Sequence, residues 1–195
     1  MIGIAGHRTT IAEEFVRLLA DGTETIADRL AELPLDLDRY LICTGYLAGK
    51  SLEAISLEEA RRTWEKNFME PARFCDRLFR VNHRARVCII GSESGCRGSY
   101  DMAYAGSKAA LHLYVETKRL EHPGQQLVAI APTIIWDSGM TQRRNDLEAL
   151  EARAGATQHG RWLTAREVAA QAVQALCVAT PFLSNTVIRL GANVR

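Results

Sequence analysis

The chain has 195 residues, of which 47% are hydrophobic and 24% are charged, and this composition is ordinary for a globular domain with a substantial core. Its formal net charge of +1 excludes a general electrostatic attraction to nucleic acid or to an anionic membrane surface. No apolar run approaches the ~18 residues that a membrane span requires, and the five cysteines and five histidines show no metal-ligand spacing.

Apolar runs alternate with amphipathic helical patterns, which predicts βαβ units around a parallel sheet. The predicted strands cover residues 1–5, 23–27, 40–44, 85–91, 126–131 and 186–190. The predicted helices cover residues 11–20, 57–81, 101–121 and 165–178, with a shorter one over 141–154. We expect one domain over residues 1–195, in the cytoplasm, with reduced thiols. We expect no signal peptide, because Met1 leads directly into a strand pattern.

The first predicted strand ends at Gly6, in the stretch A-G-H-R-T-T-I-A at 5–12. A dinucleotide site needs a tight glycine turn at this place, so that the amino end of the next helix can reach the pyrophosphate. Gly6 meets that need, and the hydroxyls of Thr9 and Thr10 could donate to phosphate oxygens. A plain strand-to-helix turn is the alternative.

The most informative stretch lies near the middle of the sequence. Tyr104 and Lys108 are four residues apart on a predicted helix, so their side chains share one face. A nearby ammonium lowers the pKa of a phenol from about 10, which would let Tyr104 exchange a proton with a carbonyl or an alcohol. Ser92 follows the buried strand pattern at 86–90, at the end where open α/β sheets bind ligands. An exposed Tyr–Lys pair is the alternative.

This segment resembles the short-chain dehydrogenase/reductase family, through I-G-S at 90–92 and Y-A-G-S-K-A-A-L at 104–111. The resemblance continues from Tyr40 to the carboxyl end: C-T-G at 43–45 stands in place of Asn-Ala-Gly, and A-P-T at 131–133 is similar to Ala-Pro-Gly. It implies a three-layer, Rossmann-like α/β fold with a doubly wound parallel sheet. It also implies a nicotinamide-dependent carbonyl reductase or alcohol dehydrogenase.

The resemblance implies a role for four residues. Tyr104 would be the general acid for ketone reduction or the base for alcohol oxidation, and Lys108 would lower its pKa and bind the nicotinamide ribose. Ser92 would position the substrate oxygen. Asn67 would hold a water that connects Lys108 to solvent.

Two features depart from the family pattern. In its glycine motif, Thr-Gly-x-x-x-Gly-x-Gly, Gly6 is kept, whereas Thr10 and Ala12 replace the other two glycines. Ala12 is a mild change, but Thr10 puts a side chain where the backbone should approach a phosphate. The interval before Tyr40 has room for only one crossover of roughly a dozen residues, so we expect the third, edge strand to be missing. Six strands would remain, in the family order 2-1-4-5-6-7.

The resemblance also implies the cofactor contacts. They are Gly6, Arg8, Thr9, Thr10, Ile11, Asp28, Arg29, Thr44, Gly45, Tyr104, Lys108, Pro132 and Ile135. A carboxylate at Asp28 would bind ribose hydroxyls and repel a 2′-phosphate, whereas Arg8 and Arg29 would attract one. We expect NADP(H) slightly over NAD(H), and surface arginines are the alternative.

The substrate is expected to be a small carbonyl or alcohol compound, bound between residues 96–100 and a loop at about 133–163. Arg143 and Arg144 could meet an acidic group there or make surface ion pairs. Apolar residues on more than one face of the helix at 101–121 predict a homodimer or homotetramer. The two departures in the amino half support an alternative function, a non-catalytic nucleotide sensor or scaffold on a degraded fold.

Overall fold

The structure is a computed structural model that describes residues 1–6, 9–19, 24–180 and 182–191. Its strands are β1 (Ile2–Ala5), β2 (Glu24–Ala27), β3 (Arg39–Ile42), β4 (Arg86–Ile90), β5 (Gln126–Pro132) and β6 (Thr186–Leu190). All pairings are parallel, in the order β2-β1-β3-β4-β5-β6. The predicted Rossmann-like fold and the predicted order without a third family strand are therefore confirmed.

Helices cover both faces of the sheet. They are α1 (Thr10–Leu19), α2 (Leu57–Trp64), α3 (Glu70–Val81), α4 (Ser94–Arg97), α5 (Met102–Thr117), α6 (Gly139–Gln142), α7 (Leu147–Ala154) and α8 (Ala165–Val173). π-helical turns at Glu65–Met69 and Gln174–Val178 continue α2 into α3 and extend α8. The long helices predicted at 57–81 and 165–178 are thus each present as one continuous run. None of the described helices combines the length and hydropathy of a membrane span.

Two predicted helices differ from the observed ones. The helix at 141–154 is interrupted after α6, where Arg143 leaves the helical conformation, and it resumes after Asp146. The helix at 101–121 ends at Thr117, because the Asn185 amide donates to the carbonyls of Val115 and Lys118 at 2.9 and 2.7 Å. Contacts from distant parts of the sequence decide this end, so local periodicity did not predict it.

The crossover between β2 and β3 is short and contains no strand, as the length of this interval predicted. A single turn of 3-10 helix (Leu30–Glu32) begins it, and Leu33 and Leu37 bury their side chains against the sheet. The hydroxyl of Tyr40 accepts from the Leu37 N–H at 3.0 Å and donates to the Pro34 carbonyl at 2.9 Å. These contacts hold the crossover across β1 and bring β3 next to it.

The apolar core forms two layers, one on each face of the sheet. One layer lies under α3, α5 and the crossover, and the other lies under α1 and α8. Both layers stop at the carboxyl ends of the strands, where the polar residues predicted for the site begin.

Candidate active site

An open cleft of about 660 Å³ lies at the carboxyl ends of β1, β3, β4 and β5. Its walls come from the turn after β1, the ends of β3 and β4, the start of α5 and the segment after β5. This edge is where open α/β sheets bind ligands, and the volume lies within the range of about 300–1,000 Å³ usual for ligand pockets.

One wall of the cleft brings three of the predicted residues together. Ser92 directly follows β4, while Tyr104 and Lys108 lie one turn apart on the buried face of α5. Ser92 and Tyr104 both line the cleft, and the Ser92 side chain influences the pKa of the Tyr104 phenol. The Lys108 Nζ lies 5.9 Å from the centre of the Tyr104 ring and donates to the Ile90 carbonyl at 2.9 Å. A hydroxyl, a phenol and an ammonium therefore share one buried wall.

The protonation of this group differs from the sequence-based expectation. Burial is the largest influence on Tyr104 and raises the pKa of its phenol, the Ser92 side chain opposes that rise, and the Asp101 charge adds to it. Burial also lowers the pKa of Lys108 to about 8. The expectation of a lowered Tyr104 pKa is therefore wrong for this structure, because burial has the largest effect on the phenol and raises its pKa. At neutral pH the phenol keeps its proton.

Asp101 fixes the position of Tyr104 and was not among the residues predicted for the site. Its fully buried carboxylate caps α5 by accepting from the Tyr104 N–H at 2.9 Å, and it accepts from the Gly49 N–H at 2.9 Å. The two contacts tie the start of the helix to the loop after β3. An aspartate directly before a helical pattern is a common N-cap, and that signal could have identified it.

Asn67 lies within the π-helical turn between α2 and α3 and is fully buried. Its Oδ1 accepts from the Tyr46 N–H, and its Nδ2 donates to the Tyr46 carbonyl, both at 2.8 Å. The same Nδ2 donates to the Ser107 hydroxyl at 3.1 Å. Three of the four hydrogen bonds that the amide can make are therefore used to join the loop after β3 to α5.

His112 supports Ser92 from behind. It lies one turn beyond Lys108 on α5, and its Nε2 accepts from the Ser92 N–H at 3.5 Å while its Nδ1 lies 3.5 Å from the Cys96 Sγ. A Cβ atom at Gly91 would lie 2.5 Å from Nε2, so the strand end is shaped around the ring. Burial, followed by Lys108 and Arg189, lowers the pKa of His112 to about 4, so the ring is neutral. His112 follows Lys108 by four residues on the same helix, and this spacing is the sequence signal that could have identified it.

The turn after β1 has the geometry of a glycine turn. Gly6 has a φ of +76°, and a Cβ atom there would lie 3.0 Å from both the carbonyl carbon of Cys43 and the amide nitrogen of Thr44. The Thr9 hydroxyl accepts from the Ala12 N–H at 3.3 Å, so it caps α1. The Thr10 hydroxyl donates to the Asp137 carbonyl at 3.4 Å, across the cleft. Both threonines thus have partners within the protein.

Several polar atoms of the cleft fit a bound nicotinamide dinucleotide. The Thr44 Oγ1 is buried, and no described residue hydrogen-bonds it. Lys108 donates to one carbonyl, although an ammonium carries three donors. Gly45 is exposed, and a Cβ atom on it would come within 3.9 Å of the Lys108 Nζ. A ligand with ribose hydroxyls would provide partners for these groups.

Some of the other predicted cofactor residues line the cleft, and some lie away from it. Ile11, Pro132 and Ile135 line the cleft with the residues above. Asp28 and Arg29 are exposed just beyond β2, and Arg29 forms an ion pair with Glu32 at 3.9 Å. Arg8 lies outside the described residues. Within the part of the chain that the structure describes, no three His, Cys, Asp or Glu side chains are grouped as metal ligands.

No family model matches this sequence, and no curated protein matches it. Solved structures do match its fold. A short-chain dehydrogenase family protein from Francisella tularensis subsp. tularensis SCHU S4 is 16% identical over 97% of this chain and 96% of that chain, with a TM-score of 0.83. A variant of actinorhodin polyketide ketoreductase with NADPH is 14% identical over 98% of this chain and 96% of that chain, with a TM-score of 0.82. The 3-oxoacyl-[acyl-carrier protein] reductase from Brucella melitensis ATCC 23457 is 15% identical over 97% of this chain and 88% of that chain, with a TM-score of 0.78.

Proposed function

We propose that this protein, which has the fold of the short-chain dehydrogenases and reductases, is a nicotinamide-dependent oxidoreductase that reduces a carbonyl compound. The observation that carries the proposal is the shared wall of Ser92, Tyr104 and Lys108 in a cleft at the carboxyl edge of the sheet. A scaffold has no physical need for a buried lysine beside a buried tyrosine, because burying an ammonium costs free energy.

The proposed chemistry assigns one task to each of these residues. When bound, the cofactor supplies a hydride to the carbonyl carbon. The Ser92 hydroxyl holds the carbonyl oxygen, and the Tyr104 phenol transfers its proton to that oxygen as the C–O double bond becomes an alcohol. Because its pKa is raised, Tyr104 is protonated at neutral pH, which is the form that reduction requires. The Lys108 ammonium stabilises the tyrosinate that remains.

We also propose how the proton is replaced. Asn67 and Lys108 both approach Gly45, since a Cβ atom on that residue would lie 3.4 Å from the Asn67 Oδ1 and 3.9 Å from the Lys108 Nζ. The remaining acceptor site of Oδ1 would hold a water that passes a proton to Lys108, and from there to Tyr104.

Cofactor binding is tested by thermal shift with the parent protein, Gly6→Ala and Gly155→Ala. NADPH at a hundredfold excess over Kd should stabilise the parent by roughly 2.7 kcal/mol. Gly6→Ala should lose this response, because a methyl group at positive φ collides with the backbone after β3. Gly155→Ala should keep it, since Gly155 has a φ of −63° and open space around its Cα. No response of the parent to NADPH or NADH at millimolar concentration would contradict the proposal.

We propose NADP(H) over NAD(H) as the cofactor. Two observations support this choice: Arg29 lies just beyond the end of β2, and Arg8 belongs to the glycine motif of the sequence. Structures of similar fold also contain NADPH. The same thermal-shift assay, run with Arg29→Ala, should show a larger loss for NADPH than for NADH. Equal losses would remove the preference.

A nucleotide sensor without catalysis is the second candidate. It is favoured by Thr10, whose hydroxyl contacts the Asp137 carbonyl across the place where a pyrophosphate would pass. Cofactor binding without reduction of any carbonyl compound would favour this candidate over the enzyme.

We propose further that the protein is a cytoplasmic homodimer or homotetramer. Cys43, Cys75 and Cys88 are buried as reduced thiols, which fits a reducing compartment. Leu111 and Val115 face the protein's own core, whereas Leu113 on α5 is 62% exposed and Trp64 on α2 is 40% exposed. A partner copy would cover these two apolar side chains.

Light scattering at micromolar concentration should report an oligomer for the parent protein. Leu113→Glu should shift it toward the monomer, because a buried carboxylate would be unpaired in the interface. Leu52→Glu, in the exposed loop after β3, is the matched control and should leave the mass unchanged. A monomeric parent protein would exclude this assembly.

A further inference from the structure

Three arginines stand along the part of the cleft formed after β5, and we call them the arginine rim: Arg143, Arg144 and Arg153. Arg143 and Arg144 follow α6, and Arg153 lies on α7. Met140 and Trp162 line the cleft with them, so cationic side chains here flank an apolar surface.

The arginine rim carries more positive charge than its neighbours neutralise. Arg144 forms a bidentate ion pair with Asp146, at 2.8 and 2.7 Å. Arg143 donates to the Gly139 carbonyl at 2.7 Å, and Arg153 acts on the same Asp146 carboxylate only at longer range. Within the described part of the protein, neither Arg143 nor Arg153 has a carboxylate within ion-pair distance. Three cations thus share one carboxylate.

Other carboxylates do not remove this excess. Glu148 and Glu151 are exposed on α7 and are not among the residues that line the cleft in the described ranges. Glu93 lines it but pairs with a separate arginine, Arg97, at 3.4 Å. Glu13 lies on α1, at the side of the cleft where the cofactor is proposed to bind.

The position of the rim separates it from the adenosine end of a cofactor. A 2′-phosphate would lie near the end of β2, and β1, β3 and β4 stand between β2 and β5. Strands in a sheet are about 4.8 Å apart, so roughly 19 Å separates the ends of β2 and β5. Arg144 instead lines the cleft together with Tyr100, which lies in the segment between Ser92 and α5.

We infer that the substrate is a carbonyl compound with an anionic oxygen group, a carboxylate or a phosphate, which the arginine rim binds while the carbonyl lies against Ser92 and Tyr104. This inference rests on the proposed function, because it assigns the far end of the molecule whose carbonyl is reduced. The apolar surface of Met140 and Trp162 fits the carbon skeleton between the two ends.

Three compounds with one skeleton test the inference: 4-acetylbenzoate, 4-acetylphenyl phosphate and the neutral 4-acetylbenzamide. With NADPH, kcat/KM should be at least about tenfold higher for one of the anions than for the amide, as expected for charge-assisted hydrogen bonds. The better anion identifies the group as carboxylate or phosphate. Equal kcat/KM values for the amide and both anions would overturn the inference.

Variants distinguish anion binding at the arginine rim from a general effect of the protein's charge. Arg143→Ala with Arg153→Ala should lower kcat/KM for the preferred anion about tenfold or more and leave the amide unchanged. Arg84→Ala removes an exposed arginine before β4, at the opposite edge of the sheet, and should change neither value. An equal loss for anion and amide would contradict anion recognition.

A binding assay keeps this inference distinct from the proposed function. Trp162 lines the cleft, so the intrinsic fluorescence of the protein should change when 4-acetylbenzoate or 4-acetylphenyl phosphate binds without turnover. Arginine-dependent binding of either anion without any reduction would support the inference and count against the oxidoreductase. Reduction of the amide without anion-selective binding would support the oxidoreductase and contradict the inference.

Discussion

Replacing Tyr104 with Phe is expected to lower kcat for carbonyl reduction by ~10²–10⁴-fold, because the phenol is the proposed proton donor. The substitution removes one oxygen and keeps a ring that is 9% exposed, so packing and cofactor affinity should hardly change. Steady-state kinetics with NADPH and any carbonyl compound that the parent protein reduces provide the measurement.

Tyr100→Phe is the matched control for this variant. Tyr100 also lines the cleft, but it is 57% exposed and lies in the loop before α5. Its loss should leave kcat within a few-fold of the parent value. If Tyr104→Phe kept near-normal turnover, the proton donor would have to be another group.

Lys108→Met is expected to lower turnover by ~10²-fold or more and to stabilise the fold at pH 7. Burial lowers the pKa of Lys108 from 10.5 to about 8, so at pH 7 the folded protein holds a buried cation at a cost of about 3 kcal/mol. Methionine removes that cost and also the hydrogen bond to Ile90, so the net gain should be about 1–2 kcal/mol. Urea unfolding of parent and variant measures it.

The pH dependence of the free energy of unfolding tests the same prediction, because its direction follows from the pKa of Lys108. Between pH 8 and 10.5 the folded state releases the Lys108 proton while the unfolded state keeps it. The free energy of unfolding of the parent should therefore rise with pH in this window, relative to Lys108→Met. Lys118→Met is the control, because Lys118 pairs with Asp76 at 2.6 Å and its loss should not stabilise the fold. A variant less stable than the parent at pH 7 would contradict the assignment.

The long helices were predictable from periodicity, whereas the strand order followed from the family resemblance together with the short interval before Tyr40. The run at 57–81 ends where predicted, and its capping box at Ser56 and Glu59 is a local signal. The end of α5 was not predictable in this way, since Asn185 decides it from 67 and 70 residues away.

Sequence spacing predicted that Ser92, Tyr104 and Lys108 lie together, but it did not predict their electrostatics. Spacing placed Tyr104 and Lys108 on one helix face, but the direction of the Tyr104 pKa depends on how deeply the fold buries it. The role of Thr9 was not predictable from the motif either, because its hydroxyl caps α1 and is not free to bind a phosphate. The support that His112 gives to Ser92 depends on how α5 packs against β4.

The direct crossover from β2 to β3 has a consequence for the open side of the sheet. It leaves β2 as an edge strand, whose unpaired backbone N–H and C=O groups could add a strand from another molecule. β2 has only four residues, and charged side chains stand at its start (Glu24) and directly beyond its end (Asp28 and Arg29). Shortness and charge are the means by which natural sheets resist aggregation at an exposed edge. The shortened amino half thus carries its own protection against forming continuous intermolecular sheets.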